Sequence, residues 1–276
     1  MARRDHRGTL IIIGGGEDRE GRKKILREVA RRVGKGRLVV TTVASHKPAG
    51  YFEQYERAFG DLGVTDLCPM DIRTRKETHD EATLRLLDGA TGVFFSGGDQ
   101  LRITSQIGDT PIMHRIQEIF ESGGVIAGTS AGASAMCETM LVKGTSRESH
   151  RIGDLHMAPG LGLIQDVIID QHFAERGRMG RLLGAIAQNP RMLGIGIDED
   201  TSIIVENDRE FHVVGNGAVY VVDGESTTYS NVAEEREDRA LSIYDVTLHV
   251  LSDGDSFDLK ARKPHLTEDG DRDKGS

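Results

Sequence analysis

Tryptophan is absent from the 276-residue chain, and aromatic residues make up only 5% of it. That poverty argues against the stacking platforms on which proteins hold single-stranded nucleic acid. A formal net charge of −9 removes the broad basic face that phosphate backbones require. Non-specific nucleic-acid binding is therefore not expected, although a local basic pocket is compatible with that total. Cysteine is nearly missing. Cys68 and Cys137 show no paired spacing, so neither a disulfide framework nor a zinc site is indicated, and a reducing cytoplasm is the expected compartment. Long apolar runs are missing as well. The basic residues 1–8 are followed only by Leu10 to Ile13 before three glycines, too short for a signal-peptide core, and no stretch approaches membrane-span length.

What is present is the makeup of a globular protein with a substantial core, 37% hydrophobic and 29% charged. Apolar runs at residues 9–13, 37–43, 64–67 and 92–95 read as strands. Between and after them, residues 19–33, 51–59, 77–87, 100–107 and 111–121 read as helices. Regular alternation of this kind means βαβ units and a doubly wound, mostly parallel α/β sheet, with ligands bound beyond the carboxyl ends of the strands. Past Asp166 the pattern changes. Strands at 167–170 and 193–197 flank a helix at 179–187; a hairpin follows at 201–206 and 211–214, then strands at 218–222 and 243–251. These read as an antiparallel extension of one domain covering residues 9–262, with residues 1–8 and 263–276 as flexible tails.

The strand expected at Val125 to Ala127 runs into Gly128-Thr129-Ser130-Ala131-Gly132, which fits the G-x-S-x-G pattern of a nucleophile elbow. A serine at a sharp strand-to-helix turn has strained backbone angles, and small neighbours let the two elements close up. The turn would lift Oγ out of the sheet and leave the Ala131 N–H at a helix start, where it can meet a developing oxyanion. The bland alternative is a tight packing turn with an incidental serine. Gly14-Gly15-Gly16, after the first strand, invites a dinucleotide reading, but the third glycine of G-x-G-x-x-G falls on Arg19 and the fingerprint fails. Backbone clearance for an active-site mouth is preferred. Ser96-Gly97-Gly98-Asp99-Gln100 also follows a strand, and Gly97, Gly98 or Asp99 would supply a second oxyanion N–H, with helix capping by Asp99 compatible with that role.

A serine nucleophile needs a base. Of the ten histidines, His172 directly follows the strand at 167–170 and so projects at the carboxyl edge where the elbow opens. The orienting acid stays open between Glu199, in the acidic turn after the strand at 193–197, and Glu148, between serine and histidine in the chain; shared edge position favours Glu199. No ligand spacing makes a metal site of that acidic turn.

With these residues in hand, the chain resembles the family of serine peptidases that contains cyanophycinase and peptidase E, the aspartyl dipeptidase. Ser96 to Gln100, Gly128 to Gly132 and residues 170–181 (Asp-Gln-His-Phe-Ala-Glu-Arg-Gly-Arg-Met-Gly-Arg) carry the resemblance. It implies a flavodoxin-like sheet similar to class I glutamine amidotransferases, and a triad of Ser130, His172 and Glu199 or Glu148. It also implies a pocket of Gln100, Asp170, Gln171, Arg176, Arg178 and Arg181, a homodimer, and no cofactor or metal. Guanidinium forks at Arg176, Arg178 and Arg181 suit carboxylates, while Asp170 and Gln171 suit ammonium, amide or guanidinium groups. A solvated helix face is the plain alternative for the arginines. The substrate implied is cyanophycin, poly-aspartate bearing arginine on each β-carboxyl, cleaved by an exopeptidase to β-Asp-Arg dipeptides. Rivals are an aspartyl dipeptidase, an inert nucleotide-binding module, and an esterase of the α/β-hydrolase fold, in which the acid would precede the histidine.

Overall fold

The computed structural model describes residues 7–46, 50–144, 155–207, 209–234 and 239–265. Glu148, one of the two candidate acids, lies outside them. The N-terminal half alternates as expected. Strand β1 (Thr9–Ile13) leads to α1 (Lys24–Val33), β2 (Arg37–Thr41), α2 (Tyr51–Gly60) and β3 (Leu67–Met70). After a 3-10 turn at Arg75–His79 come α3 (Glu81–Arg85), β4 (Ala90–Phe95), α4 (Gln100–Ile107), α5 (Pro111–Glu121), β5 (Val125–Thr129) and α6 (Ala131–Ala135). The five strands pair in parallel in the order β3-β2-β4-β5-β1. Side chains alternate across this sheet, so both faces must be covered. Leu10, Ile12, Val93, Phe95 and Ile126 join one core with Ile103 and Ile107 of α4 and Ile112 and Ile116 of α5. Ile11, Ile13, Phe94 and Val125 join the other with Ile25 and Val29 of α1 and Tyr55 and Phe59 of α2.

The second half continues with β6 (Thr139–Lys143), β7 (His156–Pro159), β8 (Val167–Gln171), α7 (Met179–Gln188), β9 (Leu193–Ile197), β10 (Thr201–Glu206), β11 (Glu210–Gly215) and β12 (Val219–Asp223). It closes with β13 (Tyr229–Ser230), β14 (Ile243–Tyr244), β15 (Thr247–Leu251), β16 (Ser256–Asp258) and β17 (Lys263–His265). The expected antiparallel extension is made by β10, β11, β16 and β17, which carry the central sheet on from β1. The remaining strands lie outside this sheet: β8 and β9 pair in parallel in a separate four-stranded sheet, ordered β15-β12-β9-β8, and β6 with β7 and β13 with β14 form two-stranded sheets.

Several boundaries differ for local reasons. Helix α1 starts at Lys24 rather than Arg19, because the Asp18 carboxylate accepts the N–H groups of Glu20, Gly21 and Lys23 and turns the chain there. The helix expected at 77–87 divides into a 3-10 turn and the short α3. The strand expected at 243–251 is interrupted at Asp245, whose φ is 61°. Residues 263–265, assigned to a tail, pair with β16. No helix among the described residues is long and apolar enough to cross a membrane.

Candidate active site

Ser130 stands between β5 and α6 with φ 54° and ψ −110°, a conformation that costs a non-glycine residue about 1–3 kcal/mol. The glycines on either side explain how the turn closes. A Cβ at Gly128 would lie 2.7 Å from the Gly132 carbonyl carbon, and one at Gly132 would lie 2.6 Å from the Phe95 carbonyl oxygen. Thus the G-x-S-x-G spacing is a steric requirement here. Ser130 Oγ lies 2.9 Å from His172 Nε2. His172, the residue after β8, also has positive φ (48°), and its Nδ1 lies 2.5 Å from Glu199 Oε1. A carboxylate at Nδ1 keeps the ring proton on that nitrogen, leaving the Nε2 lone pair to accept from Oγ–H.

One peptide segment holds all three turns. The N–H of Ser130 donates to Ile13 O (3.0 Å), that of His172 to Gly14 O (2.7 Å) and that of Asp200 to Gly15 O (2.8 Å). Three consecutive carbonyls thus receive the turns that carry Ser130, His172 and Glu199. The glycines here serve clearance, as expected. A Cβ on Gly15 would come within 2.3 Å of His172 Cε1, and one on Gly16 within 2.9 Å of Glu199 Oε2. Asp198 accepts from the N–H groups of Ala174 (2.9 Å) and Ala218 (3.1 Å), and Glu175 accepts from the N–H of Glu199 (3.2 Å), so the acidic turn is pinned from several sides.

Burial holds the His172 pKa below its ordinary 6.5, and the nearby Arg176 and Arg178 charges push the same way against the hydrogen bond and charge of Glu199. The imidazole therefore stays neutral down to more acidic pH than a free histidine. Around the serine, Gly97 is the close neighbour: its Cβ position lies 3.5 Å from Ser130 Cβ. Gly98 has φ 147°, and a side chain there would run into Ala44 O at 2.3 Å. Asp99 drops out as an oxyanion donor, since its N–H donates to Ala44 O (2.9 Å) while its carboxylate caps α4 at the Leu101 N–H (2.8 Å).

The residues expected in the pocket separate into two groups. Asp170 is wholly buried at the end of β8, and its carboxylate accepts from Arg178 Nη1 at 3.0 Å and Arg181 Nε at 2.6 Å. Those two arginines are buried with it, whereas Arg176 is exposed. Burial, with the Arg181 and Arg176 charges, pushes the Arg178 pKa down to about 10 despite Asp170. Gln171 is buried beside them, and its Oε1 and the Arg178 Nε find no hydrogen-bond partner among the described residues. Gln100 spends its amide on Leu141 O (3.2 Å) and Val142 O (3.4 Å) of β6.

Sequence reasoning passed over Glu17. It is buried, accepting from Thr129 Oγ1 (2.5 Å) and Tyr55 Oη (2.7 Å) and pairing with Arg19. Its signal was an acid immediately after a glycine turn at the end of a buried strand.

Known proteins match this chain over most of its length. Residues 10–213 match the profile of peptidase family S51. A cyanophycinase of Trichormus variabilis is 40% identical over 257 residues, covering 92% of this chain and 86% of its own. A cyanophycinase of Geminocystis herdmanii is 37% identical over 261 residues, covering 94% and 96%. The crystal structure of a peptidase from an acI-B1 actinobacterium has the same fold at a TM-score of 0.65 and 22% identity, covering 91% of this chain and 97% of that one. The chain belongs to peptidase family S51, a family of serine peptidases.

Proposed function

We propose that this chain hydrolyses the poly-aspartate backbone of cyanophycin by exo cleavage and releases β-Asp-Arg dipeptides, with Ser130 as nucleophile, His172 as base and Glu199 as orienting acid. The observation that carries this reading is the unbroken chain of short contacts from Ser130 Oγ through His172 to Glu199. Relatives named cyanophycinase at 37–40% identity supply the substrate class. His172 takes the Oγ proton as Ser130 attacks an aspartyl carbonyl, and the tetrahedral oxyanion is held by the N–H of Ala131 with that of Gly97 or Gly98. Collapse passes the proton from His172 to the leaving amine. Water, deprotonated by the same imidazole, then releases the acid and restores Ser130.

The buried ensemble supports an anionic substrate. Arg178 and Arg181 set two positive charges against the one negative charge of Asp170, and the exposed Arg176 adds a third at the surface, a balance that suits aspartyl carboxylates. A homodimer and a cytoplasmic location belong to the same proposal; light scattering of the purified chain decides the first and cell fractionation the second.

Incubating insoluble cyanophycin with the wild type and with Ser130→Ala, followed by mass spectrometry of the soluble fraction, tests the whole assignment. Dipeptide from the wild type alone is the expected result. Release by neither would overturn the polymer substrate and turn attention to aspartyl dipeptides; release by both would remove Ser130 from its role. The electrostatics add a pH prediction. Activity falls as acid protonates His172, and because its pKa is lowered the acid limb of kcat/KM lies below 6.5. Arg176→Gln removes a repelling charge, lets that pKa rise, and is expected to move the limb to higher pH; a limb that stays put would show that Arg176 does not act on the imidazole.

A further inference from the structure

We infer that Glu17, buried between Thr129 and Tyr55 directly behind the reactive serine, is a positioning residue that fixes Ser130 relative to His172. The inference rests on the serine-peptidase reading of the site, and on nothing about which peptide is cleaved. Residues 13–15 hold the three reactive turns through their carbonyls, so this segment acts as a template for the site. A template works only if it is itself fixed. Glu17 is the anchor two residues further on. Its Oε2 takes the Thr129 hydroxyl at 2.5 Å, and Thr129 is the last residue of β5, covalently joined to Ser130. Its Oε1 takes the Tyr55 hydroxyl at 2.7 Å and Arg19 Nε at 3.1 Å. The next residue completes the tie, because the Asp18 N–H donates to Asp200 Oδ1 at 2.9 Å in the acid's own turn.

Stability is a weak reason for such a group. The Glu17 side chain has no exposed surface, and removing a carboxylate from water costs several kcal/mol before its partners offset the loss. What a carboxylate with three donors around it supplies is direction. One oxygen is committed to the nucleophile's strand and the other to α2 and Arg19, so the β1 turn cannot slide along β5 without breaking a buried charged hydrogen bond. Since His172 and Asp200 hang from that turn and Ser130 continues from β5, such a slide would change the distance between Oγ and Nε2.

The two arms of Glu17 can be cut separately. Thr129→Val cuts the arm to the nucleophile, Thr129→Ser keeps its hydroxyl, and Tyr55→Phe cuts the arm to α2. The reading is the rate at which a fluorophosphonate labels Ser130, which needs no peptide substrate, together with kcat and KM on whichever peptide is turned over. Glu17→Gln and Thr129→Val are expected to lower the labelling rate and kcat by about 10- to 100-fold, as a misplacement of about 1 Å does, with KM changed less than about two-fold. Thr129→Ser should restore most of the loss, and the double variant should be no worse than either single one. Tyr55→Phe should lower the melting temperature while leaving the labelling rate within about two-fold. The acid limb of the pH profile should not move, since Glu199 still holds the imidazole. Full reactivity in Thr129→Val would overturn the inference even if Glu17→Gln fails to fold, and so would a Tyr55→Phe loss equal to that of Thr129→Val. A wild type that is labelled but inert towards cyanophycin bears on the substrate alone; a wild type never labelled at Ser130 would overturn the nucleophile assignment and this inference together.

Discussion

His172→Ala is expected to lower kcat by about 10⁴- to 10⁶-fold, with Ser130→Ala no more damaging and the double variant equal to either. A hydrogen-bonded nucleophile and base act as one unit. Oγ–H at 2.9 Å from Nε2 is poised to lose its proton only while that nitrogen is present and neutral, and an imidazole without the hydroxyl has nothing to activate. Additive losses in the double variant would mean that the two side chains act in separate steps, contrary to the geometry. Glu199→Gln should cost less. The Glu199 side chain is 43% exposed, so solvent already screens its charge, and a glutamine oxygen can still accept from Nδ1–H. Single-turnover kinetics on a soluble aspartyl substrate, with KM measured alongside, would check all four variants.

Gly15→Ala is the second large effect. The added methyl would sit 2.3 Å from His172 Cε1 and 2.5 Å from Nε2, well inside van der Waals contact, at a φ of 106° that alanine rarely adopts. The ring is held at Nδ1 by Glu199 and its backbone by Gly14 O, so it cannot move aside without leaving Ser130. A loss of about 10²-fold or more in kcat is expected, as for a base displaced by about 1 Å. Strain and clash also predict destabilisation of about 1–3 kcal/mol. Gly60→Ala, where the new methyl meets nothing within 4 Å, serves as the control in thermal melts and kinetics. Wild-type kcat in Gly15→Ala would show that the loop yields rather than the histidine.

Ser130 and His172 could be picked out from the sequence because each follows a short apolar run, and in an alternating chain the residue after a strand is where chemistry collects. The same reasoning brought Glu199 forward, and it is the carboxylate that stands at His172 Nδ1. Sheet membership was a different matter. Residues 167–170 and 193–197 read correctly as strands, but an apolar run says only that both its faces are covered, not which neighbours it bonds, so their place in a second sheet was not legible. Asp170 illustrates a further limit. Its place beside the arginines was read as substrate chemistry, whereas its carboxylate is already taken by Arg178 and Arg181, a contact that depends on how α7 folds back on β8. Glu17 carries no mark in the sequence beyond its place after three glycines, and a buried carboxylate cannot be told from a surface one without its partners.

Ser130 continues from the central sheet, and His172 from the smaller sheet beside it, so the contact between Oγ and Nε2 exists only while the two sheets keep their mutual docking. Neither sheet carries a functional site alone. Reactivity of the serine is therefore a gauge of that docking. A slight rotation of one sheet on the other would silence the enzyme while every strand stayed paired, and any influence that tightens or loosens their junction acts on turnover without touching a reacting atom.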